Sequence, residues 1–296
     1  MPKKTLRSKS QKDLESGDLA IYDSYMASQY LSIKHTSYFH VYEKLLAPYR
    51  GTAFTFVEVG VYNGGSLFMW RDFFGPQARI IGVEFNPDAK IWESEGFEIH
   101  IGDQADPTFW DTFYSQVGPI DVMLDDGGHS NEQQIVTVAK AAENMSDGGL
   151  ILVEDTHTSY MKQFGNPSKY SFMNFAFDVV HSINNRFPAV DSSKNSLSST
   201  ISAVEFYESI VSFRVDRTEC FVSEPTSNGG SSRDAIDFRH HGTSGVGLGA
   251  LRHRLLVRFN ALATESIPRR VATAIFSGLL FIQQRLRQQR QKQYFG

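Results

Sequence analysis

The sequence predicts an α/β fold, in which a mostly parallel sheet carries helices on both faces and an antiparallel hairpin at its edge. Short β-rich apolar runs alternate with segments of helical period, which is typical of a parallel sheet. Several of these runs end in glycine and acidic residues. Because ligands of open α/β sheets bind at the carboxyl ends of the strands, we expect the functional residues there.

The first predicted strand is Phe54–Gly60, and a glycine turn joins it to a helix over Leu67–Phe74. A strand, a glycine turn and a helix N-terminus in this order let the backbone come close to a bound ligand. The glycines do not follow the Gly-x-Gly-x-x-Gly spacing of NAD-binding proteins, and Glu58 inside the strand is a further departure. The pattern therefore argues against a dinucleotide cofactor.

The second predicted strand is Arg79–Glu84. Its terminal acid, Glu84, follows Gly60 at close to the ~20-residue offset at which an acid binds the two hydroxyls of a ribose. The alternative is a solvated turn residue, and the position after a glycine loop favours the ribose role.

The third predicted strand, Phe97–Gly102, leads into a polar loop. Asp103 or Gln104 in this loop could hold the edge of a nucleobase. The end of the same loop starts a helix that we predict to run through Tyr114, with Asp106 as its N-cap and a proline in the first turn.

The fourth and fifth predicted strands end in the densest groups of acids in the chain. Ile120–Leu124 runs into D-D-G-G-H over 125–129, followed by a helix over Asn131–Asn144. Gly149–Val153 runs into E-D-T-H over 154–157. If the two strands are neighbours, their ends place several carboxylates and a histidine together.

This group of acids predicts a magnesium site, because Mg²⁺ prefers oxygen ligands and binds a few carboxylates together with substrate oxygens. Asp126, Glu154 and Asp155 are the predicted ligands. A hydroxyl bound to such an ion is easier to deprotonate, and His129 is the predicted base, with an ordinary pKa of about 6.5. The alternative for His129 is a turn histidine that caps the following helix. The parts together fit group transfer from a nucleoside cofactor to a hydroxyl.

The remaining pattern divides the chain into four parts. Ile21–Tyr49 has a helical period with a dense stripe of Tyr and His, which we interpret as packing. A long helix is predicted over Ser171–Phe187, and a hairpin over Ile201–Tyr207 and Ile210–Val215. The predicted parts are an N-terminal helical segment (1–50), the core (51–215), a flexible Gly/Ser-rich loop (216–249) and a basic helical tail (250–296).

Charge is unevenly distributed along the chain. The tail from Ala250 carries nine Lys or Arg and one acid, for a net charge of +8, whereas the rest carries −12. Such a tail can contact a membrane surface or another anionic partner, or pack on the acidic body, and we weigh the two alternatives equally. The N-terminal segment and the tail are also the candidate interfaces of a homo-oligomer.

Several classes of protein are disfavoured. The single cysteine, Cys220, excludes an internal disulfide and a cysteine-rich zinc site. No signal peptide is apparent, and the apolar run Val271–Ile282 is too short to span a bilayer. We therefore expect a cytoplasmic protein with no nucleic-acid partner, and with peripheral membrane contact only through the tail.

Four motifs in one order resemble a known family. They are E-V-G-V-Y-N-G-G-S (58–66), G-D-Q-A-D-P (102–107), L-D-D-G-G-H-S (124–130) and V-E-D-T-H-T-S-Y (153–160). Together they resemble the class I S-adenosylmethionine-dependent methyltransferases of the macrolide-sugar group, the mycinamicin and macrocin type, which are related to cephalosporin-hydroxylase-type proteins. The resemblance covers roughly Ile33–Val215 and includes the S-x-K-H-T-S-Y-F-H-V-Y-E stretch (32–43).

The resemblance implies a seven-stranded Rossmann-like sheet and an S-adenosylmethionine- and Mg²⁺-dependent O-methyltransferase. It implies His129 as base on a sugar hydroxyl of a glycosylated small molecule or glycan, with Mg²⁺ on Asp126, Glu154 and Asp155. The implied cofactor contacts are Glu58, Gly60, Tyr62, Gly64, Ser66, Glu84, Asp103 and Gln104.

Three alternatives stay open at this point. The same metal site would serve a methyltransferase of catechols or other diols. A non-catalytic partner protein that keeps the cofactor fold is a second alternative, and a membrane-surface enzyme acting on a glycolipid sugar is a third. The sequence departs from the family pattern in three places: Glu84 stands where many relatives have Asp, Gly127-Gly128 stands where Gly-Ser is common, and the tail after Val215 does not match the pattern.

Overall fold

The structure is a computed structural model, in which the described residues are 10, 13–14, 18–187, 196–231 and scattered positions from 271 to 294. The chain divides into two units, Met1–Pro225 and Thr226–Gly296. Most of the predicted loop and basic tail lies outside the described residues, so their predicted roles stay predictions. Within the described ranges, no helix is long and apolar enough to cross a bilayer.

The described part of the first unit contains one seven-stranded sheet with the order β3-β2-β1-β4-β5-β7-β6. The first five strands are parallel, and β7 runs antiparallel to both β5 and β6. This confirms the predicted fold class, including the edge hairpin. The strands are β1 (Thr55–Val59), β2 (Arg79–Glu84), β3 (Glu98–Ile101), β4 (Val122–Asp125), β5 (Gly149–Val153), β6 (Ile201–Tyr207) and β7 (Ile210–Val215).

Helices cover both faces of the sheet. Along β1, Phe56 belongs to the buried cluster that includes the N-terminal helices, whereas its neighbour Val57 belongs to the cluster on the other face. Successive strand residues point to opposite faces, so each strand serves two cores. The helices are α1 (Ala20–Ala27), α2 (Tyr38–Leu46), α3 (Gly65–Phe74), α4 (Pro107–Val117), α5 (Asn131–Asn144) and α6 (Phe172–Asn184).

Side-chain caps fix the start of the helices that follow the functional strands. Asp106 caps α4 by accepting from the Thr108 N–H, as predicted. Ser130 and Gln133 form a reciprocal capping box at the start of α5. Ser130 therefore fills the capping role that was the alternative for His129.

The continuous helical prediction over Ile21–Tyr49 is wrong in its middle, because residues 28–37 leave the helix between α1 and α2. We call residues 28–37 the N-terminal strap. Ser28 Oγ donates to the Gly65 carbonyl, and the Tyr30 ring packs on Phe68 and Trp92. These tertiary contacts outweigh the helical preference of the strap and place it beside the carboxyl ends of the strands.

The ends of β1 and β4 approach so closely that only glycine fits at position 60. Gly60 has φ +90°, and a Cβ at this position would lie 2.1 Å from the Asp126 carbonyl oxygen. A side chain would meet both backbone strain and a steric clash. Gly60 thus lets two functional strand ends lie side by side.

Candidate active site

A cavity of about 750 Å³ opens at the carboxyl ends of β1, β2 and β4 and the loop after β3. Its location agrees with the topological switch point between β1 and β4, where ligands of this fold class bind. Six of the eight predicted cofactor residues line it: Gly60, Tyr62, Ser66, Glu84, Asp103 and Gln104. The other two, Glu58 and Gly64, do not line it.

Glu84 ties together the loops that follow β1 and β2. Its Oε2 accepts from the backbone N–H groups of Val61 and Tyr62, and its Oε1 accepts from those of Phe85 and Asn86. Four backbone donors orient the carboxylate at the cavity wall. A ribose contact would use the remaining acceptor capacity of these oxygens, and this role stays a prediction.

Gln104 is buried and supports the loop after β4. Its Nε2 donates to Asp125 Oδ1 at 2.9 Å, and its Oε1 accepts from the Gly128 N–H. Burial raises the pKa of Asp125. Asp103 is exposed, and among the hydrogen bonds of the described residues its side chain accepts only from the Ala105 N–H. Of the predicted pair, Asp103 is therefore the side chain freer to contact a ligand.

Glu58 is fully buried behind the cavity wall. It accepts from Ser66 Oγ at 2.7 Å and from Trp70 Nε1 at 3.0 Å. Burial raises the pKa of Glu58 to about 7, although its hydrogen bonds and the charge of Lys34 act in the opposite direction. Its carboxylate holds α3 against β1, so the structure places it next to the cavity rather than in it.

The predicted metal ligands and base come together at the ends of β4 and β5. His129 Nε2 lies 3.2 Å from Asp155 Oδ2 and 4.0 Å from Asp126 Oδ1. One ligand atom from each of these three residues lies within 4.8 Å of the others. His129 and Asp155 both have positive φ, at 56° and 53°. Non-glycine residues adopt this conformation at a cost, which is often found at functional sites.

Glu154, the third predicted ligand, is completely buried next to this group. Its carboxylate accepts from the Tyr42 hydroxyl and from Lys34 Nζ, which lies 3.1 Å and 3.2 Å from the two oxygens. Burial raises the pKa of Glu154 well above its ordinary value. Glu154 thus belongs to the cluster, but its oxygens are bound by other side chains.

Helix α2 contributes to the site in a way that the sequence pattern does not predict. The Tyr38 hydroxyl donates to Asp155, and the Tyr42 hydroxyl donates to Glu154. We interpreted the aromatic stripe as packing, and both rings are indeed buried. Their hydroxyls nevertheless orient two of the predicted metal ligands, a role that helical spacing alone does not reveal.

Two further histidines lie near the other carboxylate oxygen of Asp155. His35 Nε2 and His157 Nδ1 each lie 3.8 Å from Asp155 Oδ1. His157 Nδ1 also hydrogen-bonds to Ser209 Oγ, a residue of the β6–β7 turn. Asp155 therefore stands between two groups of titratable side chains, only one of which faces the cavity.

The residues at this cluster fit a divalent cation. Asp126 and Asp155 offer hard oxygen donors beside His129, and Glu154 lies next to them. The ammonium of Lys34, whose side chain is buried, already compensates part of the negative charge of Asp126 and Glu154. These carboxylates therefore favour a cation. The geometry is thus suited to a metal that binds two or three carboxylates.

Part of the chain matches a known family model. Residues 57–156 match the family model described as "Methyltransferase domain". These residues run from within β1 to just after β5 and include the carboxylate cluster and most of the residues that line the cavity. The described part of the first unit thus forms a Rossmann-like seven-stranded sheet, and residues 57–156 within it are similar to a methyltransferase domain.

Part of the chain is similar in sequence to proteins named as O-methyltransferases. The chain is 34% identical over 137 residues to the 8-demethyl-8-alpha-L-rhamnosyl tetracenomycin-C 2'-O-methyltransferase of Streptomyces olivaceus, covering 44% of this chain and 35% of that protein. It is 33% identical over 131 residues to the mycinamicin VI 2''-O-methyltransferase of Micromonospora griseorubida, covering 42% and 32%. The chain thus spans about a third of the length of the curated relatives it matches.

Solved structures show the same fold. MycE, a methyltransferase from the mycinamycin biosynthetic pathway, in complex with Mg, SAH and mycinamycin VI, matches with a TM-score of 0.60. The identity is 24%, over 70% of this chain and 56% of that one. This likeness confirms the fold of the sheet and its helices.

Proposed function

We propose that the chain transfers a methyl group from S-adenosylmethionine to a hydroxyl of a sugar unit, with a divalent cation such as Mg²⁺. The observation that carries the proposal is His129 Nε2 standing between Asp126 and Asp155 at the rim of the cavity. A base beside carboxylates that fit a metal suits transfer to a hydroxyl, which must lose its proton to react.

The cavity supports a nucleoside-type cofactor. Its volume of about 750 Å³ lies in the range of small-molecule sites, and its wall combines apolar, glycine and acidic residues. We assign Glu84 to the ribose hydroxyls and Asp103 to the base edge. The MycE complexes contain SAH, and that protein shares the fold around this position.

The metal would be held by Asp126 and Asp155, with Glu154 as the third ligand once its carboxylate is available. When bound, a divalent cation supplies Lewis acidity, which lowers the pKa of a hydroxyl bound to it. Tyr38 and Tyr42 orient two of these carboxylates through their hydroxyls. The chain thus fixes the ligands before any ion binds.

His129 takes the proton of the acceptor hydroxyl at Nε2, and the neighbouring carboxylates stabilise the imidazolium that forms. The acceptor oxygen forms a bond to the methyl carbon, and the bond between this carbon and the sulfonium sulfur breaks. The electron pair of that bond stays on sulfur, which gives S-adenosylhomocysteine. Beyond this proton transfer the protein contributes positioning and electrostatics.

The sugar acceptor is supported by the names of two relatives, a methyltransferase of a rhamnosyl tetracenomycin-C and one of L-olivosyl-oleandolide. The test is methyl transfer from radiolabelled S-adenosylmethionine to a panel of rhamnosides and other glycosides, with catechol as the competing diol. We expect Mg²⁺-dependent labelling of a glycoside. Labelling of catechol alone would overturn the sugar assignment, and S-adenosylmethionine binding without transfer to any diol would favour the non-catalytic alternative.

A further inference from the structure

A fully buried lysine occupies the centre of the carboxylate cluster. The Lys34 side chain is 1% exposed, and its Nζ lies 2.5 Å from Asp126 Oδ2 and 3.1 Å from Glu154 Oε1. A third carboxylate, Glu58, lies 3.9 Å away. An ammonium this deep in a protein is stable only when carboxylates compensate for the water it has lost.

The N-terminal strap delivers this ammonium to the cluster. The Tyr25 hydroxyl donates to the Ser32 carbonyl, and Ser28 Oγ is bound to the Gly65 carbonyl. Lys34 is far from Asp126 and Glu154 in the sequence. It reaches them because the strap crosses the ends of the strands. Its position therefore depends on tertiary structure built around the site.

Lys34 and the proposed metal require the same oxygens. Asp126 and Glu154 are two of the three predicted metal ligands, and both are bound to the Lys34 ammonium. Because the buried Lys34 Nζ contacts these oxygens directly, a divalent ion bound to the same oxygens and the ammonium would repel each other strongly.

We propose that Lys34 is an internal cation that competes with the divalent metal for Asp126 and Glu154 and thereby sets the metal affinity of the site. The inference rests on the proposed metal dependence. In the absence of a divalent ion, Lys34 neutralises the cluster and holds its carboxylates in place. Metal binding then requires the ammonium to give up at least part of its contact with these oxygens.

The test is a Mn²⁺ titration of the full chain, in which the electron paramagnetic resonance signal of free Mn²⁺ reports binding. The variants are Lys34→Met and Lys34→Gln, which remove the charge, and Lys34→Arg, which keeps it. Lys44→Met is the matched control, because Lys44 is an exposed lysine paired with Glu205. Thermal unfolding is measured for each protein with and without Mn²⁺.

We expect both charge-removing variants to bind Mn²⁺ at least about tenfold more tightly than the wild type, since the competing charge is gone. Lys34→Arg and Lys44→Met should stay close to the wild-type affinity. We also expect Mn²⁺ to raise the unfolding temperature of the charge-removing variants more than that of the wild type. If Lys34 had only a structural role, removing its charge would not make Mn²⁺ bind more tightly.

Equal or weaker Mn²⁺ binding by a folded Lys34→Met or Lys34→Gln protein would overturn the inference and leave the proposed function intact. No binding by the wild type or any variant would overturn the proposed metal dependence itself. If the charge-removing variants fold only with Mn²⁺, the metal replaces the ammonium, which supports the inference. Failure to fold in both conditions would contradict it.

Discussion

His129 Nε2 lies 3.2 Å from Asp155 Oδ2, and this contact joins the loop after β4 to the end of β5. The Thr158 hydroxyl donates to the His129 carbonyl and reinforces the same junction. The other ring nitrogen, Nδ1, is buried without a hydrogen-bond partner among the described residues. The imidazole is thus positioned by backbone and carboxylate contacts, as expected of a base.

Replacing His129 by alanine tests this role. We expect kcat to fall by about 10²–10⁴-fold, which is the usual contribution of a general base, while S-adenosylmethionine binding stays unchanged. His181→Ala is the control, because His181 lies on α6 away from the cluster. Turnover of His129→Ala within a factor of a few of the wild type would exclude His129 as the base.

Asp126→Asn is expected to weaken metal binding and turnover together. The substitution keeps the size of the side chain but removes a charged oxygen ligand and a partner of Lys34. We expect Mg²⁺ titrations of activity to shift to at least about tenfold higher concentration. An unchanged Mg²⁺ requirement would show that the ion binds elsewhere.

The pH dependence of stability tests the burial of Glu58. Its pKa is raised to about 7 in the folded protein. The folded state therefore holds a proton that the unfolded state has lost, and the free energy of unfolding falls as the pH rises from about 4.5 to 7. We expect the wild type to lose roughly 3 kcal/mol over this window relative to Glu58→Gln. The free energy of unfolding is measured by denaturant titration of both proteins across this pH range. Equal pH dependence of the two proteins would contradict the raised pKa of Glu58.

A pair of glycine substitutions separates two costs to the free energy of unfolding: the steric clash between β1 and β4 and the backbone strain at positive φ. Gly60 and Gly75 have φ of +90° and +88°, but only Gly60 faces a backbone oxygen at the Cβ position. We expect Gly75→Ala to cost about 1 kcal/mol of unfolding free energy and Gly60→Ala at least about 2 kcal/mol more. Equal losses for the two variants would mean that the strand ends relax without cost.

Much of the fold was accessible from local pattern. The bounds predicted for β2, β6, β7 and α5 agree with the structure. The meeting of Asp126, His129 and Asp155 followed from the rule that parallel strands end at one edge. Neighbouring positions of β4 and β5 in the sheet then brought the groups together.

What the sequence did not reveal depends on long-range contacts. Lys34 and Asp126 are 92 residues apart, and Tyr42 and Glu154 are 112 apart. A helical period could not show that the strap leaves the helix, since this is decided by Gly65, Phe68 and Trp92. The sequence pattern also could not show that the Gln104 side chain is hydrogen-bonded to Asp125 and to the Gly128 N–H.

The most direct test of the proposed function is calorimetric titration of S-adenosylmethionine into the metal-stripped protein, repeated with Mg²⁺ and with NAD in place of S-adenosylmethionine. We predict binding of S-adenosylmethionine with a stoichiometry near one per chain and no binding of NAD. A folded protein that binds no S-adenosylmethionine, with or without Mg²⁺, would contradict the proposed function.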